Sequence, residues 1–318
     1  MEQQQPTQRS KAFFLNGGAG RVLCSIPALE KYEEESGDKD FIIVCEGGTE
    51  VFKGHPTLDG RTYDNWHKNL FVEKIKDRDC VTPEPYRVWE YYNQKCDLAQ
   101  AFDIEINRKG VRELPKPNLR LSKDELLVGR QLIADVKKKI KKEKIIVFQP
   151  FGRGIDYVDG SFVDRTNRSF EFKDVKSIIR KLQEANYGVI MMGEMRLDLT
   201  SEKLKDDVAA PENTTIRQWA AIIKYADHFL GCDSVGQHLA YIVGKQSTVV
   251  FGSTYPVNVS YPNCKYMNLL DMAEEIREYS PIRITLDERI DRKLEGVMSM
   301  TPEIVDYVVN AVLGKKQK

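Results

Sequence analysis

The feature that most restricts the fold is an alternation in the second half of the chain. KIIVFQP (144–150), GVIMMGE (188–194), HFLGCD (228–233) and STVVFGS (247–253) are short apolar runs ending in Gly, Pro or Asp, as buried strands do. Between them, FKDVKSIIRKLQEAN (172–186), TIRQWAAIIKYA (215–226) and SVGQHLAYIVG (234–244) carry apolar residues at helical spacing. Strands buried on both faces and linked by helices build a parallel sheet, because the crossover helices cover it. The pattern predicts a doubly wound α/β domain over 143–300.

The first half repeats the pattern less clearly. AFFLN (12–16) runs into a glycine turn; Val22, Leu23, Ile26 and Leu29 then follow helical spacing, and FIIVCE (41–46) is a second strand closed by Gly47 and Gly48. Strand, turn, helix, strand is a βαβ unit. A second doubly wound domain is therefore expected over 11–142, behind a disordered tail at 1–10. Within it, 50–85 reads as short strands and loops, 88–102 as a helix and 113–122 as extended. A helix runs from Lys123 to about Lys142, capped by Ser122 and Glu125 in capping-box spacing. Two such domains leave a cleft between the carboxyl ends of their sheets, which is where these sheets bind ligands.

Composition narrows the chemistry. Acidic and basic side chains balance at 48 each, which disfavours generic electrostatic binding to nucleic acid. No apolar run approaches the roughly 18 residues of a membrane span, and the start of the chain lacks a signal-peptide pattern. None of the six cysteines sits at CxxC spacing, so reduced thiols in a cytoplasm are expected. The four histidines, His55, His67, His228 and His238, are scattered, and no metal site is expected.

Four loops carry candidate chemistry. After the strand ending at Gly231, Asp233 or Ser234 opens a helix. The amides of Ser234, Val235 and Gly236, at its positive end, suit a diphosphate; alternatively Asp233 is only an N-cap. The loop Gly17, Gly18, Ala19, Gly20 is either a close-approach loop facing the cleft or a tight turn. Leu23 holds the third glycine position of a dinucleotide fingerprint, which argues against a nicotinamide oxidoreductase. Loop 151–170 holds Arg153, Arg165 and Arg168, guanidinium groups suited to phosphate. Glu194, after a strand and a glycine, is either a ribose acceptor or an exposed loop acid. His238 reads as a packing residue, and the lysines of 137–144 as a solvated helix end.

ADHFLGCDSVGQHLAYIVGKQSTVVFGSTYPVN (226–258) resembles the donor-site signature of glycosyltransferase family 9, the heptosyltransferase-like enzymes. Asp233, Ser234, His238, Ala240, Gly244, Lys245, Phe251, Gly252, Thr254 and Pro256 stand at matching places. GAGRVLCSIPALEKY (18–32) is similar to the family's opening block, FIIVCEGGTEVFKGHP (41–56) to its second strand, and IIVFQPFGRG with NRSFEFKDV (145–154, 167–175) to its phosphate-binding block. The resemblance implies the GT-B fold, two facing Rossmann-like domains with an interdomain cleft, and a final helix (302–314) packed back on the first domain. It also implies an inverting reaction needing neither metal nor cofactor. The 234–236 helix start binds the donor diphosphate, Arg168 replaces a phosphate-binding lysine, and Glu194 meets the donor ribose.

Two departures matter. The family's proposed general base, an aspartate, is Arg21 here, and an arginine cannot take a proton. Asp156, Asp159, Asp164 and Glu46 are the loop carboxylates that could serve instead, while Arg21 could stabilise the leaving phosphate. The glycine of the DSGP motif is also shifted by one, to Gly236. The expected function is transfer of a sugar from a nucleotide-diphosphate donor to an acceptor hydroxyl, on a glycan or on a modified DNA base as in phages. A non-catalytic GT-B-like module that binds a nucleotide sugar or glycan is the alternative.

Overall fold

The computed structural model describes residues 9–152, 155–158, 161–164, 166, 168–193, 204, 208–252, 254–269 and 297–315. Two parallel sheets dominate it. The first contains β1 (Lys11–Leu15), β2 (Ile42–Cys45), β3 (Thr62–Asp64) and β4 (Asp79–Val81), in the order β3-β2-β1-β4. The second contains β5 (Lys144–Gln149), β8 (Tyr187–Met191), β9 (Val208–Ala209), β10 (His228–Cys232), β11 (Ser247–Phe251) and β12 (Cys264–Asn268), in the order β12-β11-β10-β5-β8-β9. That order reverses between β5 and β10, as in a Rossmann sheet; in the first sheet it reverses between β1 and β4. All ladders within both sheets are parallel.

The helices follow the sequence pattern closely. They are α1 (Ala19–Ser36), α3 (Leu98–Asn107), α4 (Lys123–Ile140), α5 (Phe172–Glu184), α6 (Ile216–Tyr225), α7 (Val235–Ile242) and α9 (Pro302–Val312), with the single turns α2 (Trp89–Tyr92) and α8 (Pro256–Val259). Ser122 and Glu125 form the expected capping box, and Asp97 with Gln100 and Thr215 with Gln218 form two more. Asp97 breaks the helix expected over 88–102: capping α3 requires extended backbone at 97, which separates α3 from α2.

One buried cluster runs from α1 and α3 through α4, α6 and α7 to β5, β10 and β11, so both sheets share it. A second lies beyond the other face of the second sheet, under α5 and α9. Three expectations change here. The final helix does not return to the first domain: Val305, Val308 and Val312 of α9 pack with Ile178, Ile179 and Leu182 of α5 and with Val250 of β11. Helix α4 lies mainly along α6 of the second domain, where Gly129 comes so near Ala221 that a Cβ would sit 2.7 Å from its backbone. Ser10 is held by Asp38, its hydroxyl donating at 2.7 Å, so order begins inside the expected tail; residues 1–8 lie outside the described set.

Candidate functional site

The reversal point of the second sheet places Gln149, at the end of β5, beside Asp233 and Ser234, at the end of β10. Gln149 is buried and clamps the start of α7. Its Nε2 donates to Ser234 Oγ (3.2 Å), and its Oε1 accepts from the Gly236 amide (2.8 Å). This corrects the expectation that the Gly236 amide serves a diphosphate: a protein side chain already uses it. The residue is glycine for packing, since a Cβ would lie 2.4 Å from Gln149 Oε1 and 2.5 Å from the Phe229 ring. The site therefore keeps the Ser234 and Val235 amides and the Ser234 hydroxyl. That hydroxyl receives its hydrogen bond from Gln149, so its own proton can point outward.

Asp233 does not cap α7; Ser234 occupies the N-cap position. The buried Asp233 carboxylate accepts from Gln237 Nε2 (2.6 Å) and pairs with Arg168 (3.7 Å). Burial alone lowers the pKa of Arg168, but Asp233, Cys232, Tyr86 and Asp164 outweigh it and hold the guanidinium above its ordinary value. Tyr86 lies in the loop after β4 of the first sheet, so that loop and the one carrying Arg168 are near enough to interact electrostatically.

Asp164, at the end of a hairpin made by β6 (Ile155–Val158) and β7 (Ser161–Asp164), is engaged by its own loop. One carboxylate oxygen accepts from the Thr166 amide (2.7 Å) and hydroxyl (2.5 Å), the other from the Arg168 (2.9 Å) and Ser169 (2.6 Å) amides. Burial pushes its pKa up, but these hydrogen bonds prevail and leave it below the usual carboxylate value. The carboxylate shapes the loop that presents Arg168. Asp156 lies in β6, its side chain outside the described set; Arg153, Asp159, Arg165 and Glu194 are outside the described residues.

The first domain supplies the facing wall. Gly17 has φ +95°, a left-handed conformation suited to glycine, and its amide donates to Glu46 (2.7 Å). Gly18 is the N-cap of α1, and Ala19 its first residue. Gly20 faces protein rather than open cleft: a Cβ would sit 2.9 Å from His238 Cδ2. The starts of α1 and α7 thus touch. Arg21 reaches across the reversal point to the loop after β4, donating to the Pro83 carbonyl (2.8 Å), pairing with Glu84 (3.3 Å) and lying over the Tyr86 and Phe102 rings.

His238 is a buried packing residue, as expected. Its Nδ1 lies 2.6 Å from Tyr261 Oη and 3.6 Å from Cys24 Sγ. Burial lowers its pKa to about 4, against a partial upward pull from Asp233. Above pH 6.5 the ring is neutral both folded and unfolded. As pH falls from 6.5 to 4, only the unfolded chain takes up the proton, so stability is lost across that window. We expect His238→Gln to flatten the acid limb relative to wild type, read as urea midpoints at half-unit pH steps.

Sequence reasoning missed Gln149, Tyr86, Glu84, Gln237 and Tyr261. Only Gln149 carried a usable signal, a polar residue ending an apolar strand before Pro150. Among the described residues, no group of three or more His, Cys, Asp or Glu side chains is placed to hold a metal ion, and no helix is long and apolar enough to cross a membrane. The six cysteines are free thiols, four of them buried.

No protein-family model matches the sequence, and no curated protein matches it either. Solved structures do. A glycosyltransferase family 9 protein from Veillonella parvula superposes with a TM-score of 0.66 at 11% identity, over 96% of this chain and 97% of that one. The fold is that of the family 9 glycosyltransferases. Escherichia coli ADP-heptose LPS heptosyltransferase II matches with a TM-score of 0.60 at 10% identity, over 96% and 98% of the two chains. TibC, an iron-containing dodecameric glycosyltransferase from enterotoxigenic E. coli, matches with a TM-score of 0.58 at 12% identity, over 97% and 79%. The two facing Rossmann-like domains are the GT-B arrangement.

Proposed function

We propose that this chain is a glycosyltransferase that takes a sugar from a nucleoside-diphosphate donor and gives it, with inversion, to an acceptor hydroxyl. The observation that carries the reading is the largely buried Arg168, paired with Asp233 beside Ser234 and the start of α7, where the second sheet reverses its order. Charge that grows on a departing diphosphate meets a guanidinium, a hydroxyl and two helix-start amides, all fixed before the reaction. Those groups supply the positive charge that a metal ion otherwise brings to a diphosphate, so the reaction is proposed to need none. A glycan or a hydroxylated DNA base is the acceptor class, and free buried thiols fit a cytoplasmic setting.

The first donor to test is ADP-heptose, since a TibC complex with ADP-D-β-D-heptose shares this fold at a TM-score of 0.55. Titration calorimetry with ADP, UDP, GDP and CDP is expected to reveal one that binds, and the matching nucleotide sugar is expected to lose its sugar to an acceptor. Failure of all four to bind or to raise the melting temperature sinks the proposal. Arg21, in place of the family aspartate and tied to Pro83 and Glu84, favours a second reading, a module that binds the donor without turnover. Binding of a nucleoside diphosphate without release from its sugar donor would select it.

A further inference from the structure

The reversal point of the first sheet lies between β1 and β4, so the loops after these strands, 16–18 and 82–88, face the cleft. Among the described residues, Glu46, Asp64, Glu84, Asp164, Glu212 and Asp233 belong to the carboxyl edges of the two sheets or the loop that carries Arg168. Asp64 and Glu212 end or follow β3 and β9, the outer strands, away from both reversal points. Asp233 is occupied by Arg168 and Gln237, and Asp164 accepts four hydrogen bonds. Glu46 follows β2, away from the reversal point, and holds the Gly17 amide. Glu84 remains. It follows β4, directly at the reversal point, and its side chain is 29% exposed. Buried Pro83 and Pro85 flank it, and their fixed backbone angles stiffen the loop. Arg21 pairs with its Oε2 and donates to Pro83, and Tyr86, two residues on, lies near enough to Arg168 to act on its charge. Arg21 belongs to the first turn of α1, whose Gly20 lies against Val235 and His238 of α7, so the loop is tied to the helix that meets the start of α7.

We propose that Glu84 is the general base of the transfer, with Arg21 as the positioning residue that orients it. The aspartate missing at position 21 is thus replaced from another loop. The inference rests on the glycosyltransferase reading above. In the step, the acceptor hydroxyl oxygen bonds to the anomeric carbon and its proton passes to the Glu84 carboxylate. The bond from that carbon to the diphosphate oxygen breaks, and its electron pair leaves on the nucleoside diphosphate, beside Arg168. Water attacking in place of the acceptor needs the same base, so donor hydrolysis reports on it without a known acceptor.

The test compares wild type, Glu84→Gln and Glu84→Ala on whichever of the ADP-, UDP-, GDP- and CDP-sugars the wild type hydrolyses fastest. Glu84→Gln keeps the shape and is expected to lower kcat by roughly 10²–10⁴-fold, the range for general-base loss, with the nucleoside diphosphate Kd within twofold of wild type. The acid limb of its kcat/KM profile should vanish, and formate should restore part of the Glu84→Ala rate. A Glu84→Gln kcat within threefold of wild type overturns the base assignment and leaves the glycosyltransferase reading standing. Parallel loss of diphosphate affinity with no formate rescue also overturns it, in favour of a structural role. A wild type that binds no nucleoside diphosphate removes both.

Discussion

Arg168→Ala is expected to lower donor turnover by about 10²–10³-fold, the usual loss for one preorganised donor at a developing negative charge, and to weaken nucleoside diphosphate binding as well. Two effects must be separated. The variant removes the guanidinium beside the start of α7, and it strands the buried Asp233 carboxylate, left with Gln237 among its described partners. The second effect is a stability cost, because an unpaired buried charge is expensive. Arg168→Ala with Asp233→Asn removes that charge. The double variant is expected to regain much of the melting temperature lost by the single one while turnover stays low. Arg168→Lys keeps the charge but loses the planar fork, so an intermediate rate is expected. Recovery of turnover in the double variant would show that Arg168 acts only on folding.

Arg217→Leu is expected to cost about 3–5 kcal/mol of stability, the range for breaking a buried pair by removing one partner. Arg217, in α6, is buried, and its fork ties the two domains together. Nε and Nη2 hold Glu125 at 2.5 and 2.8 Å, Nη1 donates to the Glu50 and Lys53 carbonyls at 3.2 and 3.0 Å, and Nη2 also reaches the Arg120 carbonyl. Leucine fills part of the space but leaves three carbonyls and a carboxylate without these donors. The hydrogen bond from Arg217 is the main cause that holds the Glu125 pKa at about 2, against an ordinary 4.5. A carboxylate shifted downward stabilises the fold above its unfolded pKa and stops doing so as pH falls from 4.5 toward 2. The gap between wild type and variant in urea midpoint should therefore be full at pH 7 and narrow below pH 4.5. An unchanged midpoint at pH 7 would contradict the tie.

Much of the second domain was legible because its signals are local. The apolar runs at 145–148 and 247–251 and the amphipathic spacing of α5 and α6 need no partner to be read, and Ser122 with Glu125 declares a helix start within four residues. What escaped depended on non-local pairing. Asp97 is the exception: Gln100, three residues on, gives the same local signal as Ser122 with Glu125, and the helix expected over 88–102 passed over it. The destination of α9 was inferred from kinship rather than from its own surface, whose valines match the α5 face. The same holds for the site. Asp233 and Ser234 announce a strand-to-helix turn, but the use of the Gly236 amide by Gln149 spans 87 residues, and the pairing of Arg21 with Glu84 spans 63. Asp164 looked like a spare acid because four hydrogen bonds to one carboxylate cannot be seen in a string of letters.

The buried cluster shared by both sheets has a consequence for how such proteins diversify. Where two halves meet through water and a linker, either can be traded for a homologous half, and new donor and acceptor combinations arise by recombination. Here Gly20 lies against His238, Arg217 against the 50–53 turn, and Asn258 donates to the Tyr91 and Cys96 carbonyls. A transplanted half would bring a mismatched seam, so an exchange of halves is expected to succeed only if these contacting residues travel together.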